Sequence, residues 1–111
     1  MNPLVKRGNL FKWTNYLSGW QARFVIVERG TLSYYRNELD MEFGCRGVIH
    51  LAKVEIIEHD FDPPRFDLLL SDGTSWYFRA ESEADKLSWV ELLEDAKADA
   101  IEGRKAVFQS P

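Results

Sequence analysis

Lys12, Arg23, Tyr34 and Arg46 are the residues whose types and spacing best suit them to act together. Each sits at the edge of a short apolar segment: Lys12 after Leu10, Arg23 before Val25, Tyr34 after Leu32, and Arg46 just ahead of Gly47-Val48-Ile49. Successive side chains of a β-strand point to opposite faces, so if Leu10, Val25 and Leu32 face a core, then Lys12, Arg23 and Tyr34 point inward as well. An antiparallel meander brings all four to one end. Three cations and a phenol gathered there require an anion: arginine holds phosphate-type oxygens in a bidentate fork, lysine adds a mobile point charge, and tyrosine supplies one hydroxyl donor. The alternative is that these side chains snorkel over the core edge and pair locally with Glu38 or Glu42.

The stretch between Lys12 and Arg23 has a second character. Trp13, Tyr16, Leu17 and Trp20 fall inside eight positions. Rings with polar tips prefer a bilayer interface, and a soluble domain seldom leaves several of them exposed together without a use. Trp20, next to a strand entry, is expected mostly in the core, whereas Trp13, Tyr16 and Leu17 are expected in solvent.

These residues need a scaffold, and the chain reads as seven short strands separated by turn signals. The expected strands are Arg7 to Trp13, Gln21 to Glu28, Thr31 to Tyr35, Gly47 to Leu51, Val54 to Glu58, Arg65 to Leu70 and Thr74 to Ala80. Arg29-Gly30 and Asp72-Gly73 fit tight hairpins, and Pro63-Pro64 stops one strand edge before the next begins. Thr14 to Trp20 and Arg36 to Arg46 remain as longer loops, the class of loop that more often carries function. After Ala80 the apolar period changes from 2 to 3.6. Ser82 with Asp85 three residues on forms a capping-box-like start, and Trp89, Leu93, Ala96 and Ala100 share one helical face with Val90 beside them. The fold class expected is mainly β: a seven-stranded antiparallel, partly open barrel of two near-orthogonal sheets, capped at one end by one C-terminal α-helix. Residues 1–6 read as an N-terminal extension, 7–101 as the domain, and 102–111 as a frayed tail or linker start.

Composition narrows the function classes. The chain has 111 residues, of which 45% are hydrophobic and 14% aromatic, enough for one packed core without metals or bridges. Cys45 is the lone cysteine, which rules out an internal disulfide or a cysteine zinc cluster and fits the cytoplasm. The longest apolar run is far too short to span a bilayer and the first residues lack a signal-peptide core, so any membrane contact is expected to be peripheral. The net charge of −4 is unevenly spread. Up to Arg46, seven basic residues face four acidic ones, a balance of +3; from Gly47 onward seven face fourteen, a balance of −7. Such a dipole would turn a basic end toward an anionic surface. Nucleic acid is disfavoured by the acidic total and the lack of a basic stripe. An enzyme is not expected: His50 and His59 are the only histidines, and neither a nucleophile-elbow serine nor a phosphate-binding glycine loop is present. No cofactor is implied. A protein- or peptide-binding module using an exposed sheet edge is the rival reading.

Lys12-Trp13-Thr14-Asn15-Tyr16, Gly19-Trp20-Gln21, Arg23-Phe24, Leu32-Ser33-Tyr34-Tyr35 and Gly44-Cys45-Arg46-Gly47 closely resemble the pleckstrin homology (PH) domains of oxysterol-binding, four-phosphate adaptor and ceramide transfer proteins. The similarity runs from about Gly8 to Lys97. Phe43-Gly44-Cys45-Arg46-Gly47, His59-Asp60-Phe61-Asp62 and Arg65-Phe66-Asp67 look most like the ceramide-transfer branch. The resemblance implies a module that binds phosphatidylinositol 4-phosphate and directs a lipid-transfer protein, through ceramide transfer in the nearest branch, to the cytosolic face of the Golgi apparatus. By the same resemblance, Lys12, Arg23, Tyr34 and Arg46 fall on phosphoinositide-contacting positions, Asn15 lies in the same loop, and Arg79 matches a basic position near the groove. Trp13, Tyr16 and Leu17 fall on membrane-inserting positions. A small GTPase of the ADP-ribosylation-factor type is the implied protein partner. PH domains that grip densely phosphorylated rings usually carry a basic residue two positions before the arginine equivalent to Arg23; here it is Gln21, which points to a monophosphate.

Overall fold

A computed structural model describes residues 4–16 and 19–109, with side chains up to residue 103. Leu17, expected at the membrane, lies outside the described residues. Strands β1 (Lys6–Thr14), β2 (Gly19–Glu28), β3 (Thr31–Tyr35), β4 (Gly47–His50), β5 (Glu55–Glu58), β6 (Arg65–Leu69) and β7 (Ser75–Arg79) precede one long helix, α1 (Glu83–Gln109). All seven pair antiparallel in one sheet of order β4-β3-β2-β1-β7-β6-β5. The two halves expected as separate sheets are therefore continuous, joined where β1 meets β7 at Phe11↔Arg79 and Lys12↔Phe78. The edges β4 and β5 do not pair, so the barrel stays open along that side. A short 3-10 turn, Leu51–Lys53, spans the gap where the expected fourth strand would have ended, and α1 packs over it.

Local chemistry accounts for most of these boundaries. Arg29 and Gly30 both have positive φ, 53° and 74°, the mirror-image turn that suits the twist of a two-residue hairpin. At the other hairpin Gly73 takes φ 90° and Asp72 accepts a hydrogen bond from the Thr74 amide at 2.9 Å, an Asx-type turn. The helix begins as its sequence suggests: Ser82 Oγ accepts from the Asp85 amide at 3.1 Å. It runs past Ile101, where a tail was expected, because Gly103 is isolated among helix formers. One glycine costs only about 1 kcal/mol relative to alanine.

The core lies between the inner face of the sheet and α1. Leu10, Val25, Leu32, Phe66 and Phe78 meet Trp89, Leu93 and Ala96 there. Trp89 is 1% exposed and is the plug expected from the helical period. Truncating such a ring costs about 3–5 kcal/mol in comparable cores. Lys86 joins this layer unexpectedly: it is buried, and its ammonium donates to Glu58 of β5 at 2.6 Å. α1 lies at the β2–β3 hairpin end, where Ala100 approaches Gly30, and so away from the β1–β2 end of the sheet. Among the described residues, no helix is long and apolar enough to cross a membrane.

Candidate anion-binding cleft

The β1–β2 end of the sheet gathers Lys12, Arg23, Tyr34 and Arg46, and alternation along the strands is the cause. Leu10, Val25 and Leu32 are all fully buried, which turns Lys12, Arg23 and Tyr34 to the same inner face at the strand ends. Arg46 is placed by its backbone, whose amide donates to the Tyr34 carbonyl at 2.8 Å just before β4 begins. Thr14, Tyr16, Arg23, Tyr34 and Arg46 line a cleft of about 170 Å³. An aromatic pair that includes the lining Tyr34 adjoins it. The Tyr34 and Trp76 rings meet edge to face at 5.3 Å, and Lys12 Nζ stands 5.1 Å from one ring centroid and 5.2 Å from the other. Such a seat holds an ammonium without neutralising it, at about 0.5–1 kcal/mol per exposed contact. Gly47 makes this packing possible, since a Cβ there would come within 2.6 Å of the Tyr34 ring and 3.0 Å of Trp76.

The electrostatics show a charge left unanswered. Burial, reinforced by the charge of Arg23, lowers the Lys12 pKa below its ordinary value. Burial also lowers that of Arg23, followed by the charge of Arg46, with Tyr34 opposing and Arg36 adding to the repulsion. Among the described residues no carboxylate lies within 4.0 Å of Lys12, Arg23 or Arg46, and Arg23 spends one donor on the Ala22 carbonyl at 2.8 Å. Local pairing with Glu38 or Glu42 is absent from this set; the nearest ion pair is Arg36 with Asp40, at 4.0 Å. What the cleft can do chemically is bind a compact anion rich in acceptor oxygens. No group of three or more metal-ligating side chains occurs among the described residues.

The remaining expected site residues divide between the cleft rim and the outer face. Tyr16 is 94% exposed at the cleft rim. Trp13 faces outward, half-buried, with its ring edge-on to Trp20 at 5.5 Å and its indole N–H donating to Asn15 Oδ1 at 3.0 Å. Asn15 thus sits in the loop as expected, with that oxygen turned to the outer face. Trp20 is not in the core: it lies three positions before the inward-facing Arg23 and next to Gln21, which shares the face of Arg23, so alternation puts it outside, paired across the hairpin with Trp13. Arg79 is not brought to the cleft either. Phe78 points into the core, so Arg79 points out, where it donates to Asp62 at 2.9 Å and its guanidinium covers Trp20 at 5.6 Å. Its Nε is buried without a hydrogen-bond partner among the described residues. Trp76 was overlooked in the sequence, although its alternation with Phe78 places it on the inner face; Gly47 and its close approach to Tyr34 carried no sequence signal beyond the residue type.

Comparison with known proteins agrees with the architecture. The PH domain family model matches residues 4–98. The ceramide transfer protein of Mus musculus is 43% identical over 104 residues, which cover 94% of this chain and 16% of that protein. The chain thus spans about a sixth of the length of the curated relatives it matches. The solution structure of the PH domain of human oxysterol binding protein-related protein 11 superposes with a TM-score of 0.81 at 30% identity, covering 89% of this chain and 84% of that one. The C-terminal PH domain of pleckstrin, solved in complex with D-myo-Ins(1,2,3,5,6)P5, shares the fold at 20% identity, with a TM-score of 0.73 over 87% of this chain and 99% of that one. With its open seven-stranded sheet closed off by one C-terminal helix, and with a family match over nearly its whole length, this chain belongs to the PH domain family.

Proposed function

We propose that this domain is a membrane-targeting module, not an enzyme, and that it holds the headgroup of phosphatidylinositol 4-phosphate between Lys12, Arg23, Tyr34 and Arg46. The observation that carries the reading is the convergence of three cations and a phenol with no carboxylate among the described residues to answer them, beside an exposed tyrosine. An inositol phosphate in the pleckstrin neighbour supports the ligand class. A monophosphate suits the chain because Gln21, on the inner face opposite Lys12, supplies no charge where a lysine or arginine would grip a further phosphate. Likeness to ceramide transfer proteins supports the finer proposal that the module addresses a lipid-transfer protein to the cytosolic face of the Golgi, with an ADP-ribosylation-factor-type GTPase as a protein partner.

Sedimentation with vesicles that each carry one phosphoinositide tests the core of this. The domain should pellet with the 4-phosphate in preference to the 3,4,5-trisphosphate. Equal or tighter binding to the trisphosphate overturns the selectivity. Failure to pellet with any phosphoinositide favours the second reading, a protein-binding module, for which the unpaired edges of β4 and β5 supply the surface.

A further inference from the structure

The connection from β3 to β4 is an ordered turn that holds two large apolar side chains away from the protein. Residues Glu38–Phe43 form a 3-10 helix that buries none of its members. Asn37 fastens its start, with Oδ1 accepting from the Asp40 amide at 2.9 Å and Nδ2 donating to Asp40 Oδ2 at 3.0 Å. Gly44 fastens its end by donating to the Met41 carbonyl at 3.0 Å. On this capped turn Leu39 is 88% exposed and Phe43 80% exposed. Side chains that a well-capped segment leaves in water have no folding role, and water is the costly place to leave them.

Their surroundings identify what covers them. Phe43, Arg36, Asp40 and Arg46 line a second open cleft of about 370 Å³. Arg46 also lines the anion-binding cleft, whose rim carries the exposed Tyr16. The two clefts therefore adjoin at Arg46, with the exposed Phe43 lining one and the exposed Tyr16 lining the other. We infer that Phe43 and Leu39 form a second wedge that enters the bilayer interface beside the anion-binding cleft. The inference rests on the proposed headgroup reading. A phospholipid surface fits these clefts because it offers an anionic layer to Arg46, which unlike the Asp40-paired Arg36 has no carboxylate partner among the described residues, at the depth at which apolar material begins for the flanking rings. Glu38 and Glu42, exposed on the same turn, keep the wedge in the headgroup region, since a carboxylate is disfavoured deeper.

The test uses site-directed labels on the whole chain. Cys45 is the lone cysteine, so Phe43→Cys in a Cys45→Ser background takes a single polarity-sensitive fluorophore at the wedge. Leu87→Cys in the same background, exposed on α1, serves as the control. Phosphatidylcholine vesicles carrying phosphatidylinositol 4-phosphate should shift the label at position 43 to the blue and raise its emission severalfold, and leave the label at 87 unchanged. Leu39→Ala with Phe43→Ala, without any label, should weaken binding to these vesicles about tenfold while preserving affinity for the soluble headgroup, since half-burial of such rings is worth that much. If the unmodified protein pellets with the vesicles but the label at 43 stays in water, or the double alanine variant binds as before, the wedge is wrong and the cleft stands. If the unmodified protein ignores the vesicles, the cleft reading falls and the wedge with it.

Discussion

Lys12 and Arg79 lie one position apart across the β1–β7 pairing, yet their chemical circumstances are opposite. On the outer face both arginines of the local cluster have a carboxylate: Arg79 has Asp62 at 2.9 Å and Arg65 has Asp67 at 2.9 and 3.1 Å, an acid that the His59 ring also contacts at 2.7 Å. On the inner face Lys12, Arg23 and Arg46 have none among the described residues. Proton affinities record the difference. Hydrogen bonding to Asp67 raises the pKa of Arg65 despite some burial, whereas burial and mutual repulsion lower those of Lys12 and Arg23. Cations whose counter-charge the fold supplies are structural; those left unanswered and partly desolvated store a demand that only an external anion meets. Cation type and density alone do not mark a site.

Charge reversal on the inner face carries the largest expected effect. Arg23→Glu or Arg46→Glu removes a charge-assisted contact and adds a repulsive one, and should cut affinity for phosphoinositide vesicles about 100-fold or more with the melting temperature unaffected. Retention of full affinity by either variant would place the ligand elsewhere. Asp67→Asn makes the reciprocal case on the outer face. It leaves Arg65 and His59 short of a buried acceptor, and should cost about 1–3 kcal/mol in denaturant unfolding while vesicle binding persists. A variant of normal stability that loses lipid binding would erase the distinction between the two faces.

Trp13→Ala should weaken vesicle binding about tenfold and change soluble-headgroup affinity little, because the ring lies on the outer face, away from the cleft. Parallel loss of both affinities together with a lower melting temperature would instead make the Trp13–Trp20 pair a structural contact. The smallest effect is expected at Lys12. Its lowered pKa means that the folded state disfavours its proton, a penalty present at pH values below the folded pKa and relieved as the pH rises through it. Lys12→Met, of similar length, escapes that penalty, and its sulfur–ring contacts of about 0.3–1.5 kcal/mol replace the lost cation–π attraction of about 0.5–1. The variant should melt slightly higher than the unmodified protein near neutral pH and bind the headgroup poorly. A lower melting temperature would show that the aromatic seat outweighs the desolvation.

Much of the cleft was legible because strand alternation is strict where the apolar partner is unambiguous. Leu10, Val25 and Leu32 could only face a core, and Lys12, Arg23 and Tyr34 followed them. The same rule, applied with equal rigour, places Trp20 and Arg79 outside and Trp76 inside. A place beside a strand entry argued for burying Trp20, and family likeness argued for using Arg79; neither reports which way a side chain points. The β3–β4 turn was read only as a long connection, since its 3-10 geometry depends on Asn37 capping Asp40, a contact that has no periodic signature. Lys86 was equally hidden: its burial depends on Glu58, which the chain delivers 28 residues earlier from a different strand.

Only two residue pairs connect β1 to β7, and Lys12 belongs to one of them. Trp76 reaches across that joint from β7 to touch both Tyr34 and Lys12. Breathing of the seam and occupancy of the cleft therefore act on the same few atoms, and by thermodynamic reciprocity whatever steadies one must steady the other. Amide hydrogens of Phe11 and Phe78, beside the weakest stretch of the ladder, should exchange with solvent more slowly once an anion is bound, so that the domain is stiffest while it sits on its membrane and loosest while it searches for one.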